Sequence, residues 1–217
     1  MKINYQNKME EILEQVSASD TMPSLLLHSC CAPCSSSVLE CLSKHFKITV
    51  FYYNPNIEPI AEYQKRVAEQ KHFLSVLPST NPIEFVEGPY EADAFQMICA
   101  GREEDKEGGS RCFLCYELRL RKTAEFAKLN GFDYFTTTLS VSPYKNAQAL
   151  NEIGARLSEE YCIPYLFSDF KKKDGYHRSI ELSKQYGLYR QNFCGCIYSQ
   201  KASEQKADLS QQNESGN

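Results

Sequence analysis

The sequence predicts an α/β protein built on a parallel sheet with helices on both faces. Short apolar, β-branched and aromatic runs alternate throughout the chain with longer segments of helical periodicity. Turn signals such as Asn54-Pro55-Asn56, Gly88-Pro89 and Asn130-Gly131 separate them. With a helix between successive strands, the strands pair in parallel, because parallel neighbours need a long crossover. At 217 residues the chain holds one sizeable α/β domain and is short for two. The expected organisation is a single catalytic domain with a metal site over residues 1–200 and a disordered tail over 201–217, polar and aperiodic from about Ser203.

In order, residues 4–17 carry Tyr5, Met9, Ile12, Leu13 and Val16 at helical spacing, and 19–23 break the pattern. Leu25-Leu26-Leu27 forms the first strand and runs into His28-Ser29-Cys30-Cys31-Ala32-Pro33-Cys34. Ser35-Ser36-Ser37 with Val38, Leu39, Leu42 and Phe46 then leaves as a helix. Residues 48–53 are the second strand. Pro59 opens a helix with Ile60, Tyr63, Val67, Leu74 and Leu77 on one face. Residues 83–86 are the third strand, and a helix from Glu91 turns Phe95 and Ile98 inward.

The charged segment 101–109 ends in two glycines and is expected to be a mobile loop that delivers Arg111-Cys112-Phe113-Leu114-Cys115 to the next helix. Leu118, Ala124, Ala127 and Leu129 face inward along that helix, and Arg119, Arg121 and Lys122 are assigned to its solvated face. Residues 134–139 are the fourth strand. Asn146 caps a helix with Leu150, Ile153, Leu157 and Tyr161 inward. A short fifth strand at 165–167, a polar loop at 171–175 and a last helix with Ile180 and Leu182 precede Tyr189-Arg190-Gln191-Asn192-Phe193-Cys194-Gly195-Cys196.

In such sheets the site lies beyond the carboxyl ends of the strands. The cysteine turn after the first strand and the loops after Leu139 and Phe167 all belong to that rim.

Composition narrows the chemistry. No apolar window is long enough for a membrane span, and the N-terminus lacks the blocks of a signal peptide, so the chain is expected to be cytoplasmic, with no membrane partner. The formal net charge of -4 means that a polyanion needs a local basic patch. Ten cysteines in a reducing compartment point to metal binding or thiol chemistry rather than to a disulfide framework.

Seven of the ten fall in three tight groups: Cys30, Cys31 and Cys34; Cys112 and Cys115; Cys194 and Cys196. Packing has no use for adjacent thiols, whereas metal and redox sites do. Cys41, Cys99 and Cys162 stand alone among apolar neighbours and are expected in the core. Zinc and iron-sulfur clusters each take four ligands, which leaves three thiols. Those three can hold a second metal, or Cys194 and Cys196 can cycle between dithiol and disulfide, since so short a ring is strained and easily reduced. A rival reading takes Cys31-Ala32-Pro33-Cys34 as the active site of a thiol-disulfide oxidoreductase, but it leaves the other groups without a role. A weaker third is a zinc-stabilised RNA-binding module.

The sequence resembles the QueH-type epoxyqueuosine reductases from about Leu25 to Tyr198. The resemblance rests on the motif at 26–35, on Arg111-Cys112-Phe113-Leu114-Cys115 with Tyr116-Glu117-Leu118-Arg119, and on Ser142-Pro143-Tyr144-Lys145. The runs 175–183 and 189–196 complete it. It implies reduction of the epoxide of epoxyqueuosine to the alkene of queuosine at the wobble position of tRNA. By matching position, Cys30, Cys31, Cys112 and Cys115 are the ligands of a 4Fe-4S cluster. Cys194 and Cys196, with Cys34 beside them, are the redox pair or hold a second mononuclear ion, iron or zinc, that polarises the C-O bond.

The resemblance also implies a PP-loop/HUP-like, Rossmann-like sheet. The glycine-rich phosphate loop is replaced here by the cysteine turn, so no ATP chemistry is expected. His28 and Tyr144 are the candidate proton donors. Lys145, Lys171, Lys172, Lys173, Arg102, Arg111, Arg178 and Arg190 are the candidate tRNA contacts, with Tyr176, Tyr189 or Phe193 as stacking platforms. The electrons would come from a low-potential donor that the sequence does not identify.

Overall fold

A computed structural model describes residues 3–214, with side chains as far as residue 205. The sheet has four parallel strands: β1 (Ser24–His28), β2 (Lys47–Tyr52), β3 (Glu84–Glu87) and β4 (Tyr134–Thr137), in the order β3-β2-β1-β4. Helices α1 (Tyr5–Ser17), α2 (Ala32–Leu42), α3 (Ile60–Val76), α4 (Ala92–Cys99), α5 (Ser110–Leu129), α6 (Ala147–Tyr161), α7 (Gly175–Gln185) and α8 (Ile197–Glu214) surround it. The α/β class and the all-parallel sheet follow the sequence, and the architecture is Rossmann-like.

β1 shows why both faces are covered. Leu25 and Leu27 point into one core with Val38, Leu39 and Leu42 of α2, Phe73 of α3 and Met9 of α1. Leu26 points into the other, with Leu120 and Ala124 of α5 and Leu150 and Leu157 of α6. Side chains alternate along a strand, so three consecutive leucines feed two cores. All three are fully buried, each contributing about 1.5–3 kcal/mol. Gly154 lets α6 sit against the sheet, since a Cβ there would lie 2.4 Å from the Tyr165 ring.

The chain steps outward from β1 to β2 to β3, then returns to place β4 on the other flank of β1. Strand order therefore reverses between β1 and β4. Their carboxyl ends, His28 and Thr137, frame the switch-point crevice where ligands bind in open α/β sheets.

Three elements differ from expectation. β4 stops at Thr137, because the Thr137 side chain accepts from Leu139 N and winds 138–141 into a 3-10 turn. The fifth strand reduces to one parallel bridge, Phe135 to Tyr165, because the Leu166 carbonyl is taken by the Thr136 hydroxyl at 2.8 Å. After α7 and the 186–196 loop, α8 runs helically to Glu214 through the stretch expected to be a tail. Its Gln, Glu, Lys and Ala residues are good helix formers, although no apolar stripe marks them. Residues 215–217 lie outside the described residues. The loop 101–109 is tied down by Asp105, which accepts from Ser110 Oγ (2.5 Å) and Arg111 N (2.8 Å). Among the described residues no helix is long and apolar enough to cross a membrane.

Candidate metal and redox centre

The β1 exit is held from three sides. Ser29 N donates to the Phe51 carbonyl at 3.0 Å, Ser29 Oγ donates to Gln70 Oε1 at 2.9 Å, and Asn54 Nδ2 donates to the Ser29 carbonyl at 2.8 Å. Cys31 is then the N-cap of α2, in extended conformation and with no side-chain cap, and Pro33 lies in the first turn. This geometry gathers the Sγ atoms of Cys30, Cys31 and Cys34 within 4.8 Å of one another, with Cys30 and Cys31 3.9 Å apart.

Hydrogen bonds from Cys31 and Cys34 hold the Cys30 thiol well below its ordinary range against the opposing effect of burial, and Arg119 and His28 help. The bond to Cys30 together with burial pushes Cys31 and Cys34 up. Cys30 is thus the thiol of the three that gives up its proton most readily. Three convergent sulfurs of this kind form a metal-binding donor set, whose remaining protons a metal displaces.

The triad opens into a cleft of about 440 Å³ that also contains Cys194, Arg66, Arg119, Lys145 and Tyr144. Lys145 Nζ donates to Cys194 Sγ at 3.0 Å and lies 3.3 Å from Glu107. The 194–196 loop docks through Gly195, whose φ of +118° favours glycine and whose Cβ would meet Arg66 Nη1 at 3.1 Å. Its carbonyl accepts from Glu58 N at 2.9 Å.

Cys196 packs in an apolar cluster with Phe95, Cys99 and Cys115. Burial pushes Cys115 up to about 12 and Cys99 to about 11. Cys112 accepts from Gly108 N at 3.3 Å. Among the described residues the compact thiol set is therefore Cys30, Cys31 and Cys34. Cys194 faces the same cleft, and Cys112, Cys115 and Cys196 lie in the adjoining structure. All ten cysteines are free. Cys41 is half-buried against the core and Cys99 is buried, but Cys162 is exposed at the end of α6, where its left-handed backbone ends the helix.

Two cations absent from the sequence-based site line this cleft. Arg119, assigned there to a solvated face, is 1% exposed. The signal was available: Cys112, Cys115 and Arg119 follow one another on one face of α5 at helical spacing. Arg66, also 1% exposed, pairs with Glu62 at 2.7 Å and donates to the Cys194 carbonyl at 3.2 Å. Each guanidinium keeps an Nη2 with no partner among the described residues.

The other candidates scatter. His28 is fully buried between Thr137 Oγ1 (2.9 Å) and the Tyr53 carbonyl (3.1 Å). A carbonyl only accepts, so Nε2 bears the proton, and burial with the nearby Arg119 charge lowers the ring's pKa to about 4. Tyr144 is 75% exposed at the cleft mouth.

Lys145, considered for RNA contact, is 9% exposed inside the cleft. Arg111 is buried, clamping the Arg102 and Glu103 carbonyls at 2.7 and 2.8 Å under the Tyr198 ring. Arg190 lines the cleft with Tyr176 and Phe193. Arg178 pairs with Glu40 and Glu181, Lys171 with Asp169, and Lys173 with Glu10. Lys172 reaches Asn4, Lys65 sits 3.3 Å over the Tyr189 ring, and Arg102 is exposed.

The molecule is a Rossmann-like α/β protein that carries three convergent thiols able to ligate a metal, with buried cations beside them, at its switch point. Residues 25–202 match the family Epoxyqueuosine reductase QueH. Relatives bearing that name include a Streptococcus pyogenes serotype M1 protein, 42% identical over 92% of this chain and 79% of its own. A Staphylococcus epidermidis protein is 40% identical over 98% and 90%, and a Thermotoga maritima protein 33% over 82% and 91%. The chain belongs to the epoxyqueuosine reductase QueH family and is accordingly an oxidoreductase.

Proposed function

We propose that this chain reduces epoxyqueuosine to queuosine in the anticodon loop of tRNA at an iron-sulfur centre in the thiol cleft. The reaction takes two electrons and two protons, breaks both C-O bonds of the epoxide, forms the alkene and releases the oxygen as water. The observation that carries the reading is the triad Cys30, Cys31 and Cys34 opening into a cleft that also holds Cys194. The donor set fits a thiophilic metal, and the orphaned Nη2 atoms of Arg66 and Arg119 suit a centre rich in negative sulfur.

Cys30, Cys31, Cys112 and Cys115 are the proposed ligands of a 4Fe-4S cluster. The first two are already gathered, and the others lie on the first turns of α5 at the same rim. Cys34, Cys194 and Cys196 are the proposed second set, either as a dithiol or as ligands of a mononuclear iron or zinc ion. Such a cluster supplies electrons one at a time at a potential tuned by its surroundings.

The chain itself binds and orients the substrate. Tyr176, Phe193 and Arg190 offer ring and guanidinium planes to an extruded base, and Arg102 and Arg178 extend the surface for phosphates. Tyr144, exposed at the mouth, holds a proton within reach of the departing oxygen, whereas His28, neutral and engaged at both nitrogens, positions the β1 exit. A tRNA substrate places the activity in the cytoplasm. The thiol-disulfide alternative uses Cys31 and Cys34 alone, whereas Cys30 belongs to the same compact triad and Cys194 opens onto the same cleft.

The test is anaerobic incubation of reconstituted protein with epoxyqueuosine-containing tRNA and a low-potential reductant, followed by nucleoside mass spectrometry. Loss of one oxygen from the nucleoside supports the proposal. Unchanged nucleoside with a fully loaded protein refutes it.

A further inference from the structure

We infer that Arg119 is the fixed counter-charge of the cleft sulfurs, a positioning residue that balances the thiolate centre and thereby sets its reduction potential. This rests on the reading of the cleft as a thiolate redox centre. A guanidinium removed from water costs several kcal/mol unless an anion compensates it. Among the described residues no carboxylate pairs with Arg119. Its Nε donates to the Cys115 carbonyl at 3.3 Å, its Nη1 lies 3.5 Å from Asn54 Oδ1, and its Nη2 has no partner among those residues.

The other arginines of the fold show that this is not the general arrangement. Arg66, equally buried, has Glu62, and Arg121, two residues along α5, has Glu117 and Glu160. Burial works against the charged form of Arg119, and beside Tyr116 the groups that favour it are the sulfurs of Cys115, Cys194 and Cys30. They come from all three cysteine groups of the sequence. At 1% exposure the guanidinium is out of reach of an RNA phosphate, and it lines the same cleft as Cys30, Cys31, Cys34 and Cys194.

Position supports the same conclusion. Arg119 lies one turn beyond Cys115, and Asn54, which it approaches, also holds the Ser29 carbonyl beside Cys30. A fixed positive charge at this point favours the more negative, reduced state of whatever the thiolates hold. Removing it should make reduction harder.

The experiment compares wild type, R119K and R119Q after anaerobic reconstitution, with iron content and midpoint potential measured by titration followed by electron paramagnetic resonance. R119Q is expected to keep its iron and to shift to a more negative potential by at least a factor of ten in the one-electron equilibrium, about 59 mV. R119K should stay near wild type. Loss of iron from R119Q but not from R119K also supports the inference. An unchanged potential at unchanged iron content overturns it, as does loss of iron from both.

A second arm uses metal-free protein and the thermal midpoints of wild type, R119M, C30S and the double variant. If sulfur balances Arg119, C30S leaves the cation less compensated, and R119M raises the midpoint more in the C30S background than in wild type. Additive shifts overturn the inference. Should wild type take up no iron, the proposed centre fails, while the metal-free arm still decides the role of Arg119.

Discussion

The two ends of the sheet treat charge in opposite ways. At the amino end, Asp133 before β4 clasps the start of β1: its Oδ2 accepts from Ser24 N at 2.8 Å and Ser24 Oγ at 2.7 Å, and its N–H donates to Ser24 Oγ at 3.0 Å. The carboxylate stays exposed, and these bonds hold its pKa below the usual range. At the carboxyl end, Arg66, Arg119 and Lys145 are buried around the thiol cleft, and Arg66 Nη2, Arg119 Nη2, Gln70 Nε2 and Asn56 Oδ1 have no partner among the described residues. Locally satisfied polar groups contribute stability, whereas orphaned buried ones reduce it and mark a place kept for something else. The amino end holds the strands together, and the carboxyl end holds the proposed centre.

Substitutions at the two ends should separate accordingly. The largest effect belongs to Cys31→Ser: reduction of epoxyqueuosine in tRNA should fall by several orders of magnitude while the thermal midpoint of the metal-free protein moves little. A comparable collapse of the fold would place Cys31 in the core instead. Next is Gly195→Ala, which forces a side chain onto a positive-φ backbone against Arg66 and should destabilise the fold by about 1–3 kcal/mol in denaturant titration. It should also displace Cys194 and reduce activity.

Asp133→Asn should cost about 1 kcal/mol at neutral pH and leave turnover unchanged. The sign of its pH dependence is set by the lowered folded pKa. The contribution of Asp133 is complete above the ordinary carboxylate value of about 4 and disappears as pH falls through the folded value. The gap between wild type and variant should therefore close in acid, and a gap that widens would contradict this. Smallest is Arg121→Ala, which removes a solvent-screened network with Glu117 and Glu160 and should change stability by about 0.5 kcal/mol or less.

What was legible in the sequence follows from period and capping. Leu25-Leu26-Leu27, the 48–53 run and the Asn146 cap define strands and helix starts by local rules, and Asn146 does accept from Ala149 N at 3.1 Å. The Cys30-Cys31-Cys34 turn was legible because adjacent thiols have few structural uses. The length of β4 was not, since a side-chain bond from Thr137 to the following backbone outweighs the β propensity of Thr138 and Leu139. Nor was the burial of Arg119, because residue type alone assigns arginine to solvent and only the α5 face shared with Cys112 and Cys115 argues otherwise. Lys145 and Arg111 show the same bias, since both count as surface charges in the sequence and both are buried in the structure. Which thiols share a centre depends on how the 194–196 loop docks, and Gly195 and Glu58 decide that through contacts distant in sequence.

The most direct test of the thiol cleft as the metal centre is iron K-edge X-ray absorption on the anaerobically reconstituted protein, with Cys30→Ser alongside. The account predicts an iron first shell dominated by sulfur in the wild type and a loss of bound iron or of sulfur ligands in the variant. An iron shell of nitrogen and oxygen, or one that Cys30→Ser leaves unchanged, would contradict it.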